Sequence, residues 1–185
     1  MNQGDSFCIA DVFDAVSMID KRPNYYRVVS ISSAYIMRIP HADKISQSKE
    51  ILRLQFDDAT AELCKKIDIK FKLATKNDCQ NALEFLQKGG PILIHCDAGV
   101  SRSTAVGLGY LLSNRSCYMS AVDELLQVRP CASPNRHVLK IMCQILNMEN
   151  DFDSILKYIS KIKNKSLPTT NQVKSQKKLK LYFSK

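Results

Sequence analysis

One stretch limits what this chain can fold into more than any other. Residues His95-Cys96-Asp97-Ala98-Gly99-Val100-Ser101-Arg102-Ser103-Thr104 follow the apolar run Pro91-Ile92-Leu93-Ile94. They lead directly into Ser103 to Ser113, where Val106, Leu108, Tyr110, Leu111 and Leu112 supply bulk at helical spacing. A short apolar run between turn residues reads as a buried strand, and the periodic segment after it as a helix. A strand that turns at once into a helix belongs to a layered α/β architecture.

The rest of the chain agrees. Arg27-Val28-Val29-Ser30-Ile31 is β-branched, and Ile51 to Phe56 sets Leu52, Leu54 and Phe56 on one face against Arg53 and Gln55. Lys76 to Gln87 reads as a helix stopped by Gly89-Gly90, and Met119 to Val128, Pro134 to Met148 and Phe152 to Ile162 as three more. Strands separated by helical segments pair in parallel through crossover helices. The expected fold is a three-layer α/β domain, a central mostly parallel twisted sheet flanked by helices, with the last helices gathered on one side. The expected domain covers residues 1–163 of the 185, followed by a flexible basic tail, 164–185.

The charge is unevenly placed. The formal net charge is +9, and residues 161–185 hold eight lysines and no acid, which leaves the body nearly neutral. Nucleic-acid binding by a basic fold is therefore not needed to explain the composition. No apolar run is long enough to span a membrane. The first residues lack a basic stretch followed by an apolar one, and the seven cysteines form no C-x-x-C pair. They read as free thiols in a reducing compartment: cytoplasmic, or nuclear in a eukaryotic or viral setting.

The loop after Ile94 carries the chemistry. Successive backbone N–H groups closing on a helix N-terminus form an anion site. Gly99 permits the backbone geometry, and Arg102 can clamp two phosphate oxygens with its planar fork. Cys96 opens the loop, where such a field stabilises a sulfur anion that can attack phosphorus. Ser103 is placed to donate to that sulfur as it leaves. His95 reads as loop support rather than a proton carrier. Asp97 is expected to point outward. His41 and His137 read as surface or structural, the other cysteines as packing or surface thiols, and Tyr25-Tyr26 as core.

His95-Cys96-x5-Arg102-Ser103 resembles the signature of the cysteine-dependent protein tyrosine phosphatases, and Cys-Asp-Ala-Gly-Val-Ser-Arg-Ser resembles their compact dual-specificity branch. Asp57-Asp58 stands where that family keeps its general acid. Arg129-Pro130 with Pro134-Asn135 resembles the segment behind the phosphate loop, whose Asn braces the loop backbone. The resemblance runs from about residue 8 to 149. It implies a two-step reaction in which Cys96 attacks the phosphoryl group while Arg102 and the amides of Asp97, Ala98, Gly99, Val100, Ser101 and Arg102 hold its oxygens. Asp58 serves as acid and then base, with no metal and no cofactor. Strand alternation alone does not choose between Asp57 and Asp58; the family pattern favours Asp58. The implied function is hydrolysis of phosphotyrosine, and of phosphoserine and phosphothreonine, on proteins. Removal of 5′-phosphates from RNA and non-catalytic binding of phosphorylated partners are the alternatives. In the tail, Gln176, Leu179, Tyr182 and Phe183 resemble the peptide motif that docks on replication sliding clamps; the lysines alone suit an acidic surface.

Overall fold

A computed structural model describes residues 6–34, 42–66 and 70–166. His41 and the tail residues Gln176, Leu179, Tyr182 and Phe183 lie outside them. Four parallel strands, β1 (Phe7–Ala10), β2 (Arg27–Ser32), β3 (Glu50–Gln55) and β4 (Ile92–His95), form one sheet in the order β1-β4-β2-β3. In register, Val29 pairs with Leu52 on one side and Ile94 on the other, and Ile9 pairs with Ile94.

Side chains on successive strand residues face opposite ways, and this alternation divides the core in two. Ala10, Val28 and Leu93 face α1 (Val12–Lys21) and α2 (Ala42–Ile45), where Ala15, Ile19, Tyr26 and Ile45 complete a small cluster. Ile9, Val29, Ile31, Leu54, Ile92 and Ile94 face the larger layer. That layer holds α4 (Lys76–Gln87), α5 (Arg102–Ser113), α6 (Tyr118–Val128), α7 (Arg136–Ile145) and α8 (Phe152–Ser166). The three-layer expectation and the grouping of the last helices on one side hold. The short α3 (Ala61–Lys66) follows the end of β3.

The sequence reading did not assign β1 or α1. β1 has only four residues, Phe-Cys-Ile-Ala, too few to show a period. α1 announces itself through its cap: the Asp11 carboxylate accepts from the N–H groups of Phe13 and Asp14 at 3.0 and 2.9 Å. Tyr25 and Tyr26 pack edge to face in the smaller core, as expected. α8 continues through Ser166, past the boundary expected at 163. His137 is structural, its Nε2 lying 3.0 Å from the Ala74 carbonyl.

Because every strand runs the same way, all four carboxyl ends meet on one edge. β1 delivers Asp11 there, β2 Ser33, β3 the run Phe56-Asp57-Asp58, and β4 Cys96. Ligands of open α/β sheets sit at this edge.

Candidate active site

The loop from Asp97 to Ser101 is held from outside by its carbonyl oxygens. Asp97 O accepts from the Val12 N–H at 3.3 Å, Val100 O from the Ser133 N–H at 2.8 Å, and Ser101 O from the Asn135 N–H at 3.1 Å. Arg129 holds the two between them, with Nε on Gly99 O at 3.0 Å and Nη2 on Ala98 O at 3.2 Å. Thr104 Oγ1 donates to Val100 O at 2.5 Å and Ser101 O at 3.0 Å. With five successive carbonyls turned outward, the backbone N–H groups of Asp97 to Arg102 find no protein acceptor among the described residues. They are the free donors of an anion cradle.

Gly99 is required twice over. Its φ is +65°, and a Cβ there would stand 2.5 Å from Ala10 C and Asp11 N. The loop thus rests directly on the end of β1.

Cys96 is 2% exposed, and its Sγ lies 3.2 Å from Ser103 Oγ. The two side chains are within hydrogen-bond distance of each other. Arg102, also buried, spreads its guanidinium over the mouth: Nη1 donates to Ser33 Oγ and Phe56 O, each at 3.1 Å, and Nη2 to Asp97 Oδ2 at 2.5 Å. Asp97 therefore does not point outward as expected. An exposed carboxylate beside a guanidinium of fixed position turns to it, because charge-assisted bonds of this kind are the strong ones.

The adjacent acids separate cleanly. Asp57 is buried, and its two oxygens accept from the Ala34 N–H at 2.9 Å and the Lys72 N–H at 2.8 Å. It ties two loops together. Asp58 is exposed and leans over the phosphate loop, its Oδ1 accepting from Ser101 Oγ at 2.6 Å and Asn135 Nδ2 at 2.8 Å. β3 ends at Gln55, so its alternation stops before these residues, leaving Asp58 free to face the cradle. Asn135 differs from its expected role. Its Nδ2 holds Asp58 and the Ala59 carbonyl, its Oδ1 caps α7 through the N–H groups of His137 and Val138, and only its backbone N–H touches the phosphate loop.

His95 ends β4 with 2% exposure, and neither ring nitrogen makes a well-formed hydrogen bond. It is packed at the carboxyl end of β4, directly before the loop. Burial lowers its pKa to about 4, only partly offset by the adjacent Cys96 backbone and by Asp97. Sequence reasoning missed Ser33, Arg129 and Thr104 as site supports. Ser33 lies beyond the end of β2 in a stretch with no period or motif. Arg129 was recognised as part of the backing segment but not as the side chain that holds Ala98 and Gly99. No group of metal-ligating side chains occurs among the described residues.

Two outcomes follow. His95 is neutral when folded and binds a proton more readily when unfolded, so stability falls as pH drops below 6.5 and the loss levels off below about 4. The loss totals roughly 3 kcal/mol, measured by denaturant melts across that range, and His95→Gln flattens it. The two acids also part company: Asp57→Ala lowers unfolding free energy by roughly 3 kcal/mol, while Asp58→Asn leaves the melt nearly unchanged.

Comparison with known proteins places these features. Residues 12–151 match the model of the dual specificity phosphatase catalytic domain. A probable dual specificity protein phosphatase of Dictyostelium discoideum is 31% identical over 74% of this chain and 64% of its own. Dual specificity protein phosphatase 5 of Homo sapiens is 35% identical over 39% of this chain and 19% of its own. This chain thus spans less than two thirds of the length of these curated relatives. The fold is shared with the Yvh1 phosphatase domain of Chaetomium thermophilum, with a TM-score of 0.53 at 18% identity over 82% of this chain and 96% of that one. It is also shared with Tk-PTP, with a TM-score of 0.52 at 19% identity over 81% and 99%. The family match covers the anion cradle, the buried cysteine and the overhanging acid together, and the chain belongs to the dual specificity phosphatase catalytic-domain family.

Proposed function

We propose that the protein is a cysteine-dependent phosphatase acting on phosphorylated proteins, with phosphotyrosine and phosphoserine or phosphothreonine as substrates. The observation that carries this reading is the convergence of Cys96, Arg102 and Asp58 on one loop whose amides lack protein acceptors.

A phosphomonoester entering the cradle takes the loop amides and the guanidinium of Arg102, and the Asp97 carboxylate yields Nη2 to a phosphate oxygen. Held this way, the equatorial oxygens are neutralised as charge develops on them. The Cys96 thiolate then forms an S–P bond as the P–O bond to the leaving group breaks. Asp58 supplies the proton that the leaving oxygen needs. In the second step Asp58, now a carboxylate, takes a proton from water as that water attacks phosphorus. The S–P bond breaks, Ser103 donates a hydrogen bond to the departing sulfur, and inorganic phosphate is released. Asn135 and Ser101 keep Asp58 over the cradle through both steps.

All seven cysteines are free thiols, which supports a reducing, cytoplasmic setting. No helix among the described residues is long and apolar enough to cross a membrane. The pattern Gln176-x-x-Leu179-x-x-Tyr182-Phe183 supports a second contact for the tail, with a replication sliding clamp. A peptide of residues 172–185 binds such a clamp in fluorescence anisotropy, and Leu179→Ala with Tyr182→Ala abolishes the signal. A peptide that binds equally well with both changes leaves only charge contact with an acidic surface.

The catalytic reading is tested with para-nitrophenyl phosphate. Cys96→Ser eliminates turnover, and Asp58→Asn slows it on the order of 100-fold. Activity that survives Cys96→Ser overturns the reading.

A further inference from the structure

One face of the helical layer carries exposed positive charge that the catalytic site does not use. α7 presents Arg136 and Lys140, and α8 presents Lys157 and Lys161, all exposed. Residues four apart lie on the same side of a helix, so each helix contributes a pair. None of these four cations forms an ion pair among the described residues.

The four line two depressions that share Arg136. One, of about 400 Å³, is bounded by Glu62 of α3, by Arg136, Lys140 and Ile141 of α7, and by Phe152. The second, of about 450 Å³, runs along α8 past Leu156, Lys157 and Lys161. The half-buried side chains of Ile141, Phe152 and Leu156 give each an apolar wall. The depressions lie close along the chain to the active site: Arg136 directly follows Asn135, whose Nδ2 holds Asp58 at 2.8 Å, and Ala61 and Glu62 follow soon after Asp58.

We propose that these depressions act as one groove that docks an acidic segment of the phosphoprotein substrate, adjacent in its sequence to the phosphorylated residue. This rests on the protein phosphatase reading above. Carboxylates of the segment meet Arg136, Lys140, Lys157 and Lys161, and an apolar side chain settles on Ile141, Phe152 or Leu156. The charge sign excludes the chain's own lysine-rich tail as the occupant. Glu62 and Asp153, which line the same groove, favour a peptide over a nucleic acid. A uniformly charged phosphate backbone meets those carboxylates, whereas a peptide spaces its acids to miss them.

Two phosphotyrosine peptides with the same core, one extended by Asp, Glu and Leu and one by Ser and Asn, are compared with para-nitrophenyl phosphate on the full chain. The acidic peptide is the better substrate by about tenfold in kcat/KM, the scale of a few exposed charge pairs. The gain lies in KM and fades as salt is raised. Arg136→Glu with Lys140→Glu, and separately Lys157→Glu with Lys161→Glu, remove the gain and leave para-nitrophenyl phosphate turnover unchanged. Equal rates on the two peptides overturn the proposal. So do charge reversals that slow the small substrate as much as the acidic peptide, or a single-stranded RNA that displaces the acidic peptide more readily than the peptide displaces itself. If no phosphoester is hydrolysed, the catalytic reading has failed rather than the groove. Anisotropy of both peptides on Cys96→Ser then decides the groove: tighter binding of the acidic one supports it, and equal binding overturns it.

Discussion

A backbone loop surrounds an anion only if its carbonyl oxygens have somewhere else to go. Here they do. Asp97, Ala98, Gly99, Val100 and Ser101 each lose their oxygen to a donor behind the loop, drawn from α1, Arg129, Thr104, and the backbone of Ser133 and Asn135. Those bonds set the peptide planes, and the planes set the direction of the N–H groups. The donors come from segments far apart in sequence, so the cradle requires the finished fold. This explains why the scaffold is so closely tied to one edge of the sheet: the parallel strands bring α1, the β3 extension and the α6–α7 connection to the same place.

The same edge shows how one short sequence carries two unlike tasks. Asp57 and Asp58 are neighbours, yet one closes two loops from the inside and the other reaches over the reaction space. Asn135 links Asp58 to the helical layer by serving at once as helix cap and as holder of that carboxylate. A side chain fixed by two cap bonds keeps its amide nitrogen in a set place, which suits the proton-donor role proposed for Asp58.

Much of this is legible in the amino-acid sequence alone. The strand, loop and helix around Cys96 announce themselves because an apolar run, a glycine and an arginine fall in one short span. α4 is plain from Lys76 to Gln87, where a periodic face runs up to Gly89-Gly90. What escaped reading was decided by tertiary contact. β1 is too short for periodicity, and Ser33 is an ordinary serine until Arg102 reaches it. Asp97 turned to Arg102 because that partner is held within reach, and the Asn135 side chain found Asp58 while only its backbone reached the loop. Local pattern shows which residue types are present; it does not show which of two nearby acceptors a donor meets.

The contact between Asp97 and Arg102 has a bearing on selectivity by ionic valence. Before any ligand arrives, the guanidinium is already half committed to an internal carboxylate carrying a single charge. A newcomer has to outbid that tenant. A phosphomonoester dianion brings a second negative charge and a third terminal oxygen for the amides, so exchange is favourable. A phosphodiester brings one charge and two terminal oxygens, little more than what it displaces. On the proposed reading, Asp97 is thus a competitor for Arg102 that a dianion displaces more readily than a monoanion does.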